Sequence, residues 1–561
     1  MPTKFIELCQ LCEKLASISS KISKIDLVAS FLNKLDNNEI EPAVRMIIGR
    51  VFPEWDQREF EISGTTLFKV LQNLTSITPQ EYLEFFNKTG DVGSCFKLIF
   101  EVKRKSSQLL LMEKPLTINE VYRILEEIAE ATGTGSRRKK ERLLSSLLSR
   151  ASPLEVKYIV KLILGERRHG FGEGLMEEAI AKAFNIPIEI IRRANMLISD
   201  IGHVAIKAKN YGLNGVKSIN ITLFHPIKPM LAEDADTVED ALIEFGGIAA
   251  FEIKPDGARV QIHKNGNKIE IYSRRLTNVT KSLPDIIEIV KNQINANKAI
   301  VEGEVIAIGK NGKPLPFQYV MRRFRRIRDI EKMMIQIPVK LYLFDILYVN
   351  GESLISKPYS ERRSRLEEIV ETQLLIPRIV TKDFKEAKTF FEEAISNGHE
   401  GVVAKQLNSK YTPGIRGRKW LKIKAKPQTL DLVIIAAEYG YGYRYKWLSD
   451  YYLAARDPET NEYLVIGKCF TGLSDEEIKW MTEQLEKIAL MKRGRTVIVQ
   501  PKIVVEVAFS EIQKSPHYRS GFALRFARII RIRTDKSPEE ADTIQKVREL
   551  YEKQFERKSK I

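Results

Sequence analysis

Apolar side chains recur at intervals of three and four residues through the first 222 positions of the chain. Leu143, Leu144, Leu147 and Leu148 show this interval, with polar side chains between them. The interval matches one face of a helix with 3.6 residues per turn. The pattern therefore predicts an all-helical domain over 1–222.

A second pattern begins after two prolines, Pro226 and Pro229, which predict a domain boundary. Short apolar runs at 248–253, 299–308 and 339–349 are typical of buried strands, and stretches with helical spacing separate them at 283–294 and 362–372. This alternation predicts a mixed α+β domain over 223–427.

Beyond residue 428 the predicted strands follow one another more closely, with one helix at 475–491. The strands fall at 432–437, 451–455, 464–470, 496–499 and 503–509. Short, closely spaced strands predict a small, mostly antiparallel β-barrel of the oligonucleotide-binding (OB) kind over 428–561.

Composition excludes a disordered chain and indicates a polyanionic partner. The 561 residues are 43% hydrophobic and 29% charged, so each domain can bury a core. The formal charge of +17 suits nucleic acid or an anionic membrane surface, and charge alone does not choose between them. Because neither a leader nor a long uncharged apolar run is present, we expect a soluble, cytoplasmic protein that associates with the nucleoid.

Four cysteines are too few to cross-link a chain of this length. Cys9 and Cys12 have the spacing of half a zinc site, but a tetrahedral site needs four ligands and no second pair stands nearby. We expect buried thiols.

Basic residues cluster at several places in the helical region. The runs lie at 103–105 and 137–140, and Arg167 and Arg168 lie within the glycine-spaced stretch 165–174. Such residues can bind phosphates through their charge and through the backbone amides that glycines expose. The alternative is a solvated basic face and an ordinary turn.

Two common nucleotide-binding motifs are missing. The Gly-Lys pairs at 309–310, 312–313 and 467–468 are not followed by Ser or Thr, which argues against a P-loop. The glycines at 165–174 follow a helical pattern, whereas a dinucleotide-binding turn follows a strand.

The stretch 251–259 is the strongest candidate for chemistry. Lys254 ends an apolar strand and precedes an Asp256-Gly257 turn, and Glu252 faces the same side because side chains alternate along a strand. Desolvation and nearby cations would lower the pKa of this lysine and make it a nucleophile. Read alone, the stretch is more typical of a surface strand that ends in a turn.

Further motifs follow Lys254 in a specific order. They are Ser273-Arg274-Arg275, Glu302-Gly303-Glu304, Leu343-Phe344-Asp345, Glu400-Gly401-Val402-Val403-Ala404-Lys405, Trp420-Leu421-Lys422-Ile423-Lys424 and Arg531-Ile532-Arg533-Thr534-Asp535-Lys536. Together they resemble the covalent nucleotidyltransferase superfamily of DNA ligases, RNA ligases and mRNA capping enzymes. The three-part layout is similar to archaeal ATP-dependent DNA ligases along essentially the whole chain.

The resemblance implies that the chain seals nicks in duplex DNA between 3′-hydroxyl and 5′-phosphate ends, in replication, repair and recombination. Lys254 would attack the α-phosphorus of ATP and carry AMP, which then passes to the 5′-phosphate before the 3′-hydroxyl displaces it. It also implies the nucleotide-binding residues Glu252 (adenine amino group), Phe344 (stacking), Arg259 and Arg274 (ribose and phosphates), Glu304 (ribose), and Arg416, Lys422 and Lys424 (α-phosphate).

The same resemblance implies a metal and a second set of phosphate contacts. Glu304 and Glu400 would hold Mg²⁺ or Mn²⁺, since carboxylates are hard oxygen ligands. Lys422 and Lys424 would help to keep Lys254 deprotonated. Arg533 and Lys536 would orient the leaving pyrophosphate.

Several features go beyond the shared motifs. Pro255 stands where relatives usually carry tyrosine, which a strand end tolerates. The arginine-rich run 322–328 is interpreted as a DNA-backbone contact, with an exposed helix as the alternative. A docking segment for a sliding clamp is conceivable at 108–112, although it lacks paired aromatic residues. We expect a monomer.

Three alternatives stay open at this point. An RNA ligase or a capping-type guanylyltransferase would share the lysine and the barrel. An NAD-dependent ligase is disfavoured because no four-cysteine zinc module is present. A catalytically inert DNA clamp would have no need of the ordered lysines.

Overall fold

A computed structural model describes residues 2–103, 114–166, 170–324, 329–412, 416–425 and 427–559. The chain divides into two compact units. The first comprises Met1–Pro229 with Arg275–Asn278, and the second comprises Met230–Arg274 with Val279–Ile561.

The first unit is helical throughout its described part, as predicted. Its helices are α1 (Phe5–Ser17), α2 (Lys21–Lys34), α3 (Asn37–Ile47), α4 (Gly64–Thr75), α5 (Pro79–Thr89), α6 (Val92–Lys103), α7 (Ile118–Glu130), α8 (Ser136–Arg150), α9 (Pro153–Leu164), α10 (Glu173–Ala183), α11 (Ile188–Ile198) and α12 (Ile201–Lys217).

Helical spacing and capping residues explain these helices. In α7 the buried side chains Val121, Leu125 and Ile128 recur every three or four residues, which gives the helix one apolar face. Helix α5 begins with a reciprocal cap between Thr78 and Glu81. The predicted burial of Cys9 and Cys12 is confirmed, since both are at most 1% exposed.

The second unit begins with alternating strands and helices. These elements are β1 (Leu231–Asp234), α13 (Val238–Glu244), β2 (Ala249–Lys254), β3 (Ala258–Asn265), β4 (Lys268–Ser273), α14 (Pro284–Gln293), β5 (Lys298–Ala307), α15 (Phe317–Phe324), α16 (Ile330–Gln336), β6 (Val339–Val349), β7 (Glu352–Ser353), α17 (Tyr359–Ile369), β8 (Arg378–Thr381), α18 (Phe384–Ser396), β9 (Gly401–Lys405) and β10 (Arg416–Lys424).

Two five-stranded sheets organise this part. Sheet I has the order β1-β10-β9-β2-β8, and sheet II has the order β4-β3-β5-β6-β7. Strand β2 of sheet I runs through the turn Pro255–Gly257 into β3 of sheet II, so residues on either side of this turn come from both sheets. Sheet II packs a buried apolar core that includes Val260, Ile286 and Leu343.

The remainder of the unit is rich in strands. Its elements are β11 (Gln428–Tyr439), β12 (Leu448–Arg456), β13 (Tyr463–Cys469), α19 (Asp475–Lys487), β14 (Ala489–Arg493), β15 (Thr496–Phe509), β16 (Glu511–Lys514), β17 (Phe522–Arg525), β18 (Arg528–Ile532) and α20 (Ile544–Arg557).

A third sheet, sheet III, joins most of these strands in the order β13-β12-β11-β15-β14, with β18 also paired to β15. Within the described residues this order does not close into a complete barrel. The predicted helix at 475–491 is wrong at its end, because α19 stops at Lys487 and the exposed strand β14 follows. The two strands predicted at 496–499 and 503–509 form the single strand β15.

The architecture therefore has a helical N-terminal region, a central two-sheet region and a C-terminal region rich in strands. The domain limits at 222 and 427 stay predictions.

Candidate active site

Three neighbouring strands of sheet I bring the candidate nucleophile next to a second lysine. In the register of β2, β9 and β10, Lys254 lies opposite Gly401, and Gly401 lies opposite Lys424. Glu252, Val403 and Lys422 form the equivalent row two residues away. Residues two apart on a strand share a face, so Lys254, Lys424 and Lys422 all project from one side of the sheet.

A single carboxylate joins Lys254 and Lys424. The Oε2 atom of Glu400 lies 2.7 Å from Nζ of Lys254 and 2.9 Å from Nζ of Lys424. The backbone supports this arrangement, because the Glu400 amide donates to the carbonyl oxygen of Lys254 at 2.9 Å. The three side chains remain between 23% and 44% exposed, so a substrate can reach them.

Electrostatics at Lys254 differ from the expectation. Burial acts to lower its pKa, but the carboxylates of Glu400 and Glu304 outweigh burial and raise the pKa above its ordinary value. The predicted lowering is therefore wrong for this arrangement, since the neighbouring carboxylates together act on the amine more strongly than burial does. Lys254 is a protonated ammonium group here.

Glu304 has the opposite character. Burial raises its pKa to about 7, although Lys254 and Arg259 act in the other direction. This carboxyl group can therefore change its charge near neutral pH.

Two glycines allow the backbone to approach this cluster closely. A Cβ atom on Gly401 would lie 2.0 Å from the carbonyl oxygen of Ile423, and its φ of +150° is uncommon for other residues. A Cβ atom on Gly257 would lie 2.8 Å from Cγ of Glu304. Any side chain at either position would push apart the elements that carry the site.

Arg259 is held by a buried network on sheet II. Its guanidinium group donates to Glu302 at 2.7 Å and to the carbonyl oxygen of Met230 at 2.6 Å. The Tyr411 hydroxyl also donates to Glu302, at 2.7 Å. These bonds fix the orientation of Arg259, whose carbon Cζ lies 5.2 Å from the centre of the Phe344 ring.

Phe344 lies at an irregular point of β6. Glu302 pairs with Asp345 and Gly303 pairs with Leu343, so Phe344 is the additional residue of a β-bulge. A bulge changes the direction in which a side chain projects. The Phe344 and Trp420 rings meet edge to face, with 6.3 Å between their centres.

Glu252 and Lys405 form an ion pair beside this aromatic pair. Their side-chain atoms are 2.6 Å apart, and each side chain is 2% exposed. Lys405 also lies 4.7 Å from the Phe344 ring centre and 4.3 Å from the Trp420 ring centre. Burial lowers the pKa of Lys405, and the Glu252 carboxylate opposes that shift. The Tyr359 hydroxyl donates to the other carboxylate oxygen of Glu252.

Two other predicted nucleotide-binding residues, Lys422 and Arg274, form no ion pair with Glu400 in the part of the chain that the structure describes. Lys422 forms an ion pair with Asp234 at 3.1 Å rather than with Glu400. Arg274 follows β4, is exposed, and has no ion pair with any residue that the structure describes. Arg416 begins β10, but its side chain lies outside the described part.

Arg533 and Lys536 are bound to one carboxylate in the C-terminal region. Asp431 accepts from Arg533 at 3.0 Å and from Lys536 at 2.6 Å. The structure therefore brings these two side chains together at Asp431, and their predicted role towards pyrophosphate stays a prediction.

Comparisons with known proteins give the family. An ATP-dependent DNA ligase domain matches residues 229–424, a DNA ligase N terminus matches 4–181, and the C-terminal region of ATP-dependent DNA ligases matches 444–536. The DNA ligase of Thermococcus onnurineus is 46% identical over 99% of both chains. DNA ligase 1 of Korarchaeum cryptofilum is 47% identical over 98% of both chains.

This chain belongs to the ATP-dependent DNA ligases.

A solved structure supports the fold of this ligase. The structure named Pmar-Lig_PreS3 is 16% identical, covers 94% of this chain and 99% of its own, and has a TM-score of 0.57. In the described part of the ligase, none of the helices combines the length and apolar character that crossing a bilayer requires.

The carboxylates of the ligase fit the usual mode of magnesium binding. Within the described ranges no three His, Cys, Asp or Glu side chains converge to hold a metal by themselves. Mg²⁺ commonly binds one or two carboxylates together with substrate phosphates. Glu400 and Glu304 both act electrostatically on Lys254, so two carboxylates of the kind that Mg²⁺ prefers lie near the candidate nucleophile.

Sequence reasoning missed a carboxylate next to the candidate nucleophile, Lys254. Asp256 is 5% exposed and binds Lys558 at 2.9 Å and Arg525 at 3.3 Å. Although burial opposes it, these cations lower the pKa of Asp256 below its ordinary value. The Asp-Gly turn marks Asp256 in the sequence, but nothing local marks Lys558, which is 302 residues away.

Two basic residues predicted to contact DNA are structural instead. Lys140 is 4% exposed and binds the carbonyl oxygen of Phe60 and the carboxylate of Glu61. Arg323 is 1% exposed and donates two bonds to Asp285. Both predictions are wrong because each cationic side chain is buried and is bound by a partner that is remote in the sequence.

Other described residues of the basic runs are available to solvent. Arg137, Arg138, Lys139 and Arg322 are exposed. Glu173 in the first turn of α10 binds Lys228 at 2.5 Å, so a carboxylate already occupies the helix start within the glycine-spaced stretch. Positions 104–105, 108–112, 167–168 and 325–328 lie outside the described residues.

Proposed function

We propose that this ligase seals nicks in duplex DNA through a covalent Lys254-AMP intermediate. The observation that carries the proposal is the row Lys254-Gly401-Lys424, with Glu400 bound to both lysines. This arrangement supports the proposal, because an amine, a second cation that suits phosphate and a carboxylate that can act as a base lie close together.

The first step follows from these groups. Nζ of Lys254 attacks the α-phosphorus of ATP, the bond from that phosphorus to the β-phosphate bridging oxygen breaks, and pyrophosphate leaves with the electron pair. Because Lys254 is protonated, it must first lose a proton, and Glu400 at 2.7 Å is the base within reach. Lys424 and Lys422 then lie on the same sheet face to bind the α-phosphate.

The remaining roles follow from the resemblance to the ligase motifs. Arg259 and Arg274 bind the ribose and phosphates, and Arg416 joins them at the start of β10. Mg²⁺ or Mn²⁺, held by Glu304 and Glu400, would shield the triphosphate charge. Arg533 and Lys536 can orient pyrophosphate only after both side chains leave Asp431.

Replacement of the nucleophile tests the proposal. Lys254→Arg retains the charge but stays protonated, so we expect at least a thousandfold loss of labelling by ATP carrying a labelled α-phosphate. Sealing of a DNA nick that is already adenylated should survive in part. Labelling of Lys254→Arg at the wild-type rate would show that another residue is the nucleophile, and preference for GTP over ATP would favour a capping-type enzyme.

We propose that the first turn of α8, through Arg138 and Lys139, binds phosphates of the DNA backbone. The first turn of α8 contains no acidic residue, and the exposed Arg138 and Lys139 lie where the helix dipole is already positive. A phosphate would neutralise this unfavourable concentration of positive charge.

A salt titration of nicked-duplex binding measures this contact. In Arg138→Ala/Lys139→Ala the slope of log affinity against log salt should fall by up to about 2, since each phosphate contact contributes roughly 0.9. Lys140→Met is the matched control, because that lysine is buried, and its slope should equal the wild-type slope. An unchanged slope in the double variant would remove α8 from the DNA contact.

Docking of a sliding clamp at 108–112, a monomeric state and a location at the nucleoid stay predictions.

A further inference from the structure

The environment of Glu252 contains a contact that the ligase motifs do not explain. Tyr359, the first residue of α17, is fully buried and donates its hydroxyl to Oε1 of Glu252. Lys405 binds Oε2 at 2.6 Å, and a nitrogen of Arg363 lies 3.8 Å from the carboxylate. Both oxygens of Glu252 therefore have a donor, and the group is held from two directions.

The direction of the tyrosine hydrogen bond is set by a second arginine. Arg378, which lies opposite Glu252 in the register of β2 and β8, donates to the Tyr359 hydroxyl oxygen at 3.4 Å. The oxygen accepts that bond, so the hydroxyl proton remains for Glu252. The Tyr359 backbone amide is also fixed, by a 2.8 Å bond to the carbonyl oxygen of Ser409.

These contacts give Glu252 one defined chemical character. Because one oxygen of the Glu252 carboxylate faces an ammonium group and the other a hydroxyl donor, this carboxylate acts as a hydrogen-bond acceptor. It complements the amino group at position 6 of adenine, and it repels the oxo group that guanine carries at that position. Lys405 could donate to such an oxo group, but its bond to Glu252 directs its charge elsewhere.

We propose that Tyr359 is a positioning residue that sets the selectivity of this ligase for adenine over 6-oxopurine nucleotides, by holding Glu252 as a fixed acceptor. The inference rests on the proposed function, in which ATP binds with its base beside Phe344 and Glu252. Without the hydroxyl, Oε1 loses a donor and the carboxylate is free to rotate. Lys405 is then less firmly paired and can approach an oxo group.

The test compares Tyr359→Phe with Tyr272→Phe in the full-length ligase. Phenylalanine keeps the ring that packs 4.8 Å from Lys405 and removes only the hydroxyl. Tyr272 is the matched control, because it is 3% exposed and its hydroxyl likewise donates to a glutamate, Glu270, on β4. The readout is the rate of covalent labelling of Lys254 at low concentrations of ATP, GTP and inosine triphosphate.

We expect the ratio of the ATP rate to the GTP and inosine triphosphate rates to fall about tenfold or more in Tyr359→Phe. The maximal rate at saturating ATP should change less than about threefold, since the reacting groups are untouched. Tyr272→Phe should keep the wild-type ratio. A purely structural role of Tyr359 would lower all three rates together and leave the ratio unchanged, which would overturn the proposal.

Two controls separate the possible failures. If no nucleotide labels Lys254 in the wild-type ligase, the proposed function itself fails. If ATP labels the wild type and Tyr359→Phe keeps the same ratio, only the inference about Tyr359 fails. Unfolding midpoints of both variants identify a folding defect, and the ratio of rates is independent of the active fraction because that fraction cancels.

Discussion

Two ion-pair clusters, at Lys254 and at Glu252, lie two residues apart on β2 and differ in solvent exposure and in hydrogen bonding. At Lys254 the side chains of the lysine, Glu400 and Lys424 stay 23–44% exposed, and one carboxylate serves two cations. At Glu252 the carboxylate and Lys405 are each 2% exposed, and a tyrosine completes the hydrogen bonds.

The difference reflects two tasks. The groups around Lys254 must exchange partners during the reaction, whereas Glu252 must keep the same contacts throughout. Access to water and to alternative partners lets the ion pairs at Lys254 rearrange when a phosphate binds. Burial with complete hydrogen bonding holds the Glu252 carboxylate in one position, since a buried unpaired charge is very unfavourable. We therefore expect the two clusters to respond differently to the loss of one cation.

The largest expected difference between the two clusters is in the free energy of unfolding after one cation is removed from each. Lys405→Met leaves Glu252 buried without its cation and should reduce the free energy of unfolding by about 3–5 kcal/mol. Lys424→Met removes a cation that is 44% exposed and should cost less than about 1 kcal/mol, because solvent screens such pairs. Denaturant unfolding of both variants measures the contrast, and equal losses would show that the clusters do not differ.

Glu304 provides a smaller, pH-dependent test. Its pKa in the folded protein is about 7, above its value in the unfolded chain, so its contribution to stability is complete below about pH 4.5 and is lost as the pH rises through 7. Glu304→Gln has no such loss. Its stability relative to wild type should therefore increase with pH between about 4.5 and 8, by up to about 3 kcal/mol.

The matched control for this titration is Glu352→Gln, which removes an exposed carboxylate on β7. Measurements in the presence of a chelator exclude metal binding to Glu304. A pH-independent difference between Glu304→Gln and wild type would contradict the raised pKa.

Much of this molecule could be predicted from sequence, because local patterns determine it. The strand predicted at 339–349 is β6, and the predicted helical N-terminal region is confirmed. The end of the α19 helix was missed because Ala489–Arg493 pairs with β15, and a partner strand is not visible in local spacing.

The same limit applies to the site. Motif order identified Lys254, Glu400 and Lys424, which lie together because adjacent strands carry them. Sequence could not separate Lys140 from its exposed neighbours, because its partner Phe60 is 80 residues away. Nor could it show that Glu400 faces both lysines, since that depends on side-chain geometry between strands. The sign of the pKa shift at Lys254 was wrong for this reason.

The most direct test of the account is the titration of the Lys254 amine itself. Competitive acetylation at a series of pH values, followed by mass spectrometry of the peptide that contains Lys254, gives this pKa without requiring activity. The account predicts a pKa above the ordinary lysine value of about 10.4 in the wild type, and a lower pKa in Glu400→Gln, which removes one of the two carboxylates that raise it. A wild-type pKa at or below the ordinary value, unchanged in Glu400→Gln, would contradict the claim that Glu400 controls the charge of the nucleophile.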